Sequence, residues 1–197
     1  IDGIYRADEG EIILRGKKTE ITSPKQAMTD GIAMIHQELS PVLDMTIAEN
    51  IFLGKEPKKG AFIDIARMNA ESKALLEEVG MTGISPAVNM RQLSTSQMQM
   101  VEIAKALSYQ ADLIIMDEPT SSITESEVDN LFEIIRKLKA DGKCIVYISH
   151  KMEELFKIGD VITVFRDGMH VGDFGVEDVD EPKLIKLMVD RDLTEIY

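Results

Sequence analysis

Asp117 and Glu118 follow four apolar residues, Leu113-Ile114-Ile115-Met116, and precede Pro119-Thr120. An apolar run that ends in two carboxylates matches the Walker B pattern. Ligands of parallel sheets gather at the carboxyl ends of the strands. Asp117 is placed there to orient Mg²⁺ through its waters. Glu118, one residue further out, is placed to polarise an attacking water as a general base. The same pattern also occurs in ordinary strands that simply lead into a polar loop.

A second apolar run, Cys144 to Ile148, ends in Ser149-His150. His150 in that position can donate to a γ-phosphate oxygen or hold a water and Glu118 in register. A histidine at a strand end is also a common satisfied surface group. Ser94-Thr95-Ser96-Gln97 opens an apolar helix. Ser94 and Gln97 fit an S-x-x-Q capping box, and the same geometry of free N–H groups and a hydroxyl makes an anion site. Gln37 stands at the end of a third apolar run, where its amide could touch a metal or a water. Ser121, Ser122 and Thr124 follow the two carboxylates, and Thr124 with Glu127 forms another capping box.

These residues need elements to hold them. Residues 11–15 and 19–22 alternate around Gly16 as a hairpin. Ser23-Pro24 reads as an N-cap with proline at N1, and Gly31 closes that helix. Gly31 to Gln37 reads as a buried strand. Residues 46–53, 67–79 and 97–108 have helical spacing, with Leu75, Leu76 and Val79 on one stripe. Thr124 to Ala140 is amphipathic, with Val128, Leu131, Ile134, Ile135 and Leu138 on one face. It joins the runs 113–116 and 144–148, which read as strands buried in a parallel sheet, into a βαβ unit. Asp167-Gly168 marks a hairpin between 161–165 and 170–171, and a last helix covers 181–188. The layout is α/β, with a mostly helical insertion at 41–109. This divides the chain into 1–40, 41–109 and 110–197.

Composition narrows the partners. The 197 residues are 44% hydrophobic with a net charge of −13. So acidic a surface repels nucleic-acid backbones and anionic lipid heads, and no nucleic acid is expected as a partner. The Lys-rich stretch Lys55 to Lys59 reads as a solvated loop. No apolar stretch is long enough to span a bilayer. The single cysteine, Cys144, reads as a small buried hydrophobe. The opening Ile1-Asp2-Gly3 shows no signal peptide, and together with the lack of a starting methionine it suggests an absent natural N-terminus.

In this order, the motifs resemble an ABC transporter ATPase domain. Gln37 is similar to the Q-loop, LSTSQ to the signature motif, LIIMDEPT to Walker B, SSIT to the D-loop, and His150 to the switch histidine. The wording LSTSQMQMVEIAKALSY, DEPTSSIT and YISHKMEEL resembles the N-terminal ATPase half of tandem-domain sugar importers. The galactose/methylgalactoside type is nearest and the ribose type close behind. The resemblance implies a P-loop NTPase core with a helical subdomain, using ATP and Mg²⁺. It implies Glu118 as base, Asp117 and Gln37 on the metal side, and His150 as γ-phosphate sensor. Ser94, Thr95, Ser96 and Gln97 would serve the ATP of a second ATPase domain docked head to tail, and Gln37 and Ser122 of the D-loop would also be nucleotide-binding. It further implies membrane permease subunits and, indirectly, a periplasmic sugar-binding protein as partners. The location implied is the cytoplasmic face of the membrane.

Two departures stand out. Thr95 and Ser96 replace the two glycines of the usual LSGGQ signature, and glycine lets backbone approach a phosphate closely. A P-loop, G-x-x-x-x-G-K-[ST], does not occur; Gly10 to Lys18 has the wrong spacing. By resemblance, Ile1 to Tyr5 matches the end of the P-loop helix, so the chain is expected to be incomplete at its N-terminus, to expose apolar surface and to be inactive alone. Two other readings stay open: a soluble ABC-type ATPase of translation or repair, and a non-catalytic interaction module.

Overall fold

The computed structural model describes residues 1–121 and 123–189. The chain divides into two compact units, Ile1–Ile148 and Ser149 onward.

The first unit opens with an antiparallel hairpin, β1 (Ile12–Leu14) and β2 (Lys17–Thr19). Its two-residue turn, Arg15-Gly16, has both φ angles positive, at 51° and 73°. That is the primed geometry whose twist suits a tight hairpin. Helix α1 (Pro24–Thr29) starts as expected, with the Ser23 hydroxyl accepting from the Gln26 N–H.

Three parallel strands form the central sheet in the order β3 (Ile32–Ile35), β6 (Leu113–Asp117), β7 (Cys144–Ile148). Ile35 is level with Met116, and Asp117 with Ile148. Helix α5 (Glu125–Ala140) makes the crossover from β6 to β7 and buries Leu131, Phe132, Ile134, Ile135 and Leu138. The central strand β6 is covered on both faces, as a parallel strand should be, and buries Ile114, Ile115 and Met116. Ile115 packs with Ile21, Ala27 and Ile32.

β7 corrects the reading of two equally buried strands. It is one of the two outer strands of this three-stranded sheet. Phe132 of α5 meets Tyr147 edge to face at 6.3 Å on one side. On the alternate positions Val146 is 41% exposed and Ile148 45%. Cys144 shares that alternation and is exposed, not a buried hydrophobe. An apolar run does not say whether a strand lies inside a sheet or at its edge.

At the opposite end of the strands, Asp112 gathers two cations. The Arg15 guanidinium donates to its carboxylate, with Nε at 2.8 Å, and Lys143 Nζ lies 3.6 Å away. The Arg15 hydrogen bond, more than its charge, holds the Asp112 carboxyl below the usual range.

Between β3 and β6 the chain forms helices α2 (Ile47–Ile51), α3 (Ile65–Glu78) and α4 (Thr95–Leu107). They bury Ile47, Ile51, Met68, Leu76, Met100, Val101 and Ile103 against one another. A two-by-two hairpin, β4 (Lys58–Lys59) and β5 (Phe62–Ile63), precedes α3. The stretch 55–59 is therefore not a plain solvated loop. Lys55 lays its stem over apolar surface, with Nζ 3.3 Å from the Tyr109 ring centroid and bonded to Ser108 Oγ. Burial, with Lys105 nearby, pushes its pKa down to about 8.

The second unit holds α6 (Met152–Ile158), β8 (Val161–Arg166), β9 (Met169–Gly175) and α7 (Glu181–Val189). β8 and β9 are antiparallel, joined at Asp167-Gly168 with φ of 50° and 78°, as the sequence predicts. Ile162, Val164, Val179 and Leu184 form its core.

Candidate functional site

The site grows from the carboxyl end of β6. Asp117 is the last strand residue and is half-buried. Glu118 then turns the chain sharply, with φ at +46°, a conformation that L-residues other than glycine adopt at a cost. Its backbone N–H donates to the Ile148 carbonyl of β7 at 2.9 Å, and its own carbonyl accepts from Ser121 at 3.1 Å. These bonds hold the turn, and Thr120 beyond it is buried. Strained backbone that is fixed from several sides is a recurrent feature of functional sites.

Gln37 reaches this turn from β3. The sequence places Gln37 at a strand end, but the strand closes at Ile35, so Gln37 is the second residue of the loop. Its Nε2 donates to Glu118 Oε2 at 3.2 Å. An amide, an acid and a second acid therefore converge at the ends of two adjacent parallel strands. Beside the loop, a cleft of about 300 Å³ opens between β3 and α4, lined by Ala33, Ile35, His36, Glu38, Leu39 and Lys105. Neither Asp117 nor Glu118 lines it.

The donors suit one kind of metal. Mg²⁺ dehydrates reluctantly and is usually held by one or two carboxylates, its waters and substrate phosphates. Asp117 with Gln37 or Glu118 offers that sparse oxygen set. Among the described residues no cluster of three or more His, Cys, Asp or Glu forms a fuller cage. The phosphate side is different: no G-x-x-x-x-G-K segment is present in the 197 residues to supply a backbone cradle.

The signature segment forms the expected helix start. Ser94 Oγ accepts from Gln97 N at 3.2 Å, and Gln97 Oε1 accepts from Ser94 N at 3.0 Å. Thr95 is exposed at the first helical position. The half-buried Ser96 lies close enough to Glu127, near the start of α5, for its hydroxyl to favour the charged carboxylate. Glu127 is held mainly by Thr124, whose N–H and Oγ both donate to it at 2.8 Å. The Thr124 bonds first, and the nearby Ser96 hydroxyl after, keep its carboxyl below the ordinary range. Ser122 lies outside the described residues.

His150 belongs to the second unit and is exposed just before α6. One residue that the motifs do not point to stands beside it. Glu154 is buried, with Oε2 accepting from Ser149 Oγ at 3.0 Å and Oε1 paired with Lys151 Nζ at 3.2 Å. The only sequence signal for it is its place at the third position of a helix, where an acid favours the N-terminus.

Known proteins resemble this chain along most of its length. The family described as "ABC transporter" matches residues 1–121. A galactose/methyl galactoside import ATP-binding protein of Photobacterium profundum is 51% identical, over 99% of this chain and 39% of its own. Its counterpart in Salmonella typhimurium is 49% identical, over 99% and 38%. A ribose import ATP-binding protein of Chromobacterium violaceum is 46% identical, over 100% and 39%. The chain thus spans about two fifths of the length of these relatives. Among solved structures, an ATP-binding cassette of an ABC transporter superposes with a TM-score of 0.80 at 24% identity, over 95% of this chain and 79% of its own. A dimeric ATP-binding cassette bound to ADP and Pi gives 0.72 at 22%, over 89% and 77%. At such identities the likeness speaks for the fold alone. It agrees with the α/β core that the motifs imply.

Proposed function

Because the chain belongs to the ABC transporter family, we propose that it is the catalytic-carboxylate and signature part of an ATPase that drives uptake of a simple sugar. The observation that carries this reading is the contact between Gln37 Nε2 and Glu118 Oε2, 3.2 Å apart, beside Asp117 at the end of β6. Glu118 is the general base toward the attacking water. Asp117 and Gln37 take the Mg²⁺ side, and His150 senses the γ-phosphate. Ser94, Thr95, Ser96 and Gln97 face the nucleotide of a second ATPase domain, together with Ser122. Bound Mg-ATP supplies the phosphoryl group and neutralises its charge. This chain's own groups orient the water and take its proton.

The relatives' names carry the sugar: they are galactose, methyl galactoside and ribose importers, and we assign this chain to that class. Segment 41–109 acts as the helical subdomain that docks on a membrane permease subunit, with the cleft between β3 and α4 beside it. A periplasmic sugar-binding protein supplies the sugar. The place of work is the cytoplasmic face of the membrane; no helix among the described residues is long and apolar enough to cross it.

The 197 residues alone bind Mg-ATP weakly and do not hydrolyse it, because the phosphate cradle is not in their sequence. Calorimetry tests both statements on this chain and on one extended at its N-terminus by the P-loop segment of the Photobacterium relative. Tight binding by the extended chain alone supports the reading. Equal binding by both overturns it and points to a different nucleotide site.

A further inference from the structure

Among the described residues, five helices carry an acid or amide at their third position that contacts the residues before the helix; in α1, Gln26 reaches past its N-cap to Thr22 and the Glu20 carbonyl. Three do so in the ordinary exposed way: Glu49 with Thr46, Gln97 with Ser94, and Glu127 with Thr124 form capping boxes on the N-cap residue itself. Helix α6 departs from them. Its N-cap, Lys151, offers no side-chain cap, and its third residue, Glu154, is buried, with a side chain only 8% exposed. The Glu154 carboxylate passes over the N-cap backbone and takes Ser149 Oγ on one oxygen and Lys151 Nζ on the other. Ser149 Oγ in turn accepts from the Lys151 N–H at 3.0 Å. The two residues so bound are the immediate neighbours of His150, which stands exposed between them.

A buried carboxylate is costly unless its oxygens are matched. A helix start needs no such burial, as the three exposed boxes show. What the buried arrangement adds is a fixed turn at residues 149–151, and therefore a fixed direction for the side chain at its apex. We propose that Glu154 is a positioning residue that, through Ser149 and Lys151, holds the backbone turn presenting the His150 imidazole. The proposal deepens the reading of His150 as γ-phosphate sensor and rests on it for its purpose, though not for its geometry. A sensor of a phosphate oxygen works only if its ring is held near the position of use before the phosphate arrives. A loop histidine on a loose turn would lose that advantage.

The test reads His150 itself, in the 197-residue chain without nucleotide. The chain has three histidines, so the ring Cε1–H resonances are few, and His150→Gln assigns the one of interest. In the parent chain the His150 line is expected to be displaced from the free-imidazole position, with restricted ring motion in ¹³C relaxation. Glu154→Ala is expected to move that line to the free-imidazole position and release the ring, while the lines of His36 and His170 stay in place. Ser149→Ala leaves the buried carboxylate paired with Lys151 and decides the matter if Glu154→Ala does not fold. It is expected to shift and loosen the same line by a smaller amount, and Glu154→Asp to restore part of the order. An unmoved His150 line in the folded variants, or one that moves together with those of His36 and His170, overturns the proposal. Because no phosphate is present, a later failure of His150 to respond to Mg-ATP would count against the sensor reading and not against the positioning role of Glu154.

Discussion

Gln37 Nε2 donates to Glu118 Oε2 across 81 residues of chain. The contact joins the loop after β3 to the turn after β6, so an event at one loop is felt at the proposed base. It engages the Oε2 oxygen of Glu118.

In the chain extended by a P-loop, Glu118→Gln is expected to slow ATP hydrolysis by about 10²–10⁴-fold, the usual weight of a general base. Binding of Mg-ATP should be retained. Gln37→Ala should cost about tenfold in kcat, as expected for one lost hydrogen bond to a charged group, about 1.5 kcal/mol. Steady-state phosphate release and calorimetry on the two variants check this. Full activity in Glu118→Gln would remove Glu118 from the base role.

The left-handed backbone of Glu118 gives a second expectation. Glu118→Gly and Glu118→Ala lose the same carboxylate, but only glycine accepts φ of +46° without strain. The glycine variant of the 197-residue chain should therefore be more stable than the alanine variant by about 1 kcal/mol. Paired urea melts measure the difference. A more stable alanine variant would show that the turn carries no strain.

Ser96 stands where the usual signature has glycine, and its hydroxyl supports Glu127. Ser96→Gly should raise the Glu127 carboxyl pKa toward its ordinary value, which carboxyl ¹³C titration reads directly. The sign for stability follows. Glu127 has a depressed folded-state pKa, so its contribution is present above the unfolded pKa and is lost as pH falls through the folded one. Ser96→Gly should weaken that acid dependence.

Lys55 works in the opposite window. Its folded pKa is about 8 against an ordinary 10.5. The unfolded chain then binds more protons between those values, so its contribution to stability rises as pH climbs from about 8 to 10.5. Below that window both states are charged and the penalty of burying the ammonium is constant. Lys55→Met should flatten the alkaline rise expected between melts at pH 7 and pH 10. Identical slopes for parent and variant would contradict the burial of this amine.

Cys144, exposed on the outer strand β7, should react with a thiol reagent in the native chain, one thiol per molecule and without denaturant. Protection of this thiol would mean that the outer face of β7 is covered in solution.

Local rules made much of this fold legible. The apolar runs at 113–116 and 144–148 and the stripe of α5 foretell the βαβ unit, and Ser23-Pro24, Ser94 and Asp167-Gly168 mark their caps and turns. What escaped depends on which elements are neighbours. The exposure of Cys144 follows from sheet order, which periodicity does not encode. The β4–β5 hairpin has strands of two residues, too short to show a period. Helix α2 is shorter than the apolar pattern of 46–53 because Phe52 already leaves helical geometry. In the site, Asp117 and Glu118 could be read from their strand, but the Gln37–Glu118 and Ser149–Glu154 bonds need the folded chain to bring the groups together.

The knot of Arg15, Lys143 and Asp112 sits at one end of β6, and Asp117 at the other, a strand's length of roughly 17 Å away. The two ends are thus open to separate selection. On the proposed roles, the Asp112 end serves the folded sheet alone, while the Asp117 end serves the chemistry. A lineage that abandons hydrolysis can lose its acids at one end and keep the cations at the other, and the surviving Arg15–Asp112 pair would then be the fossil of the fold rather than of the activity.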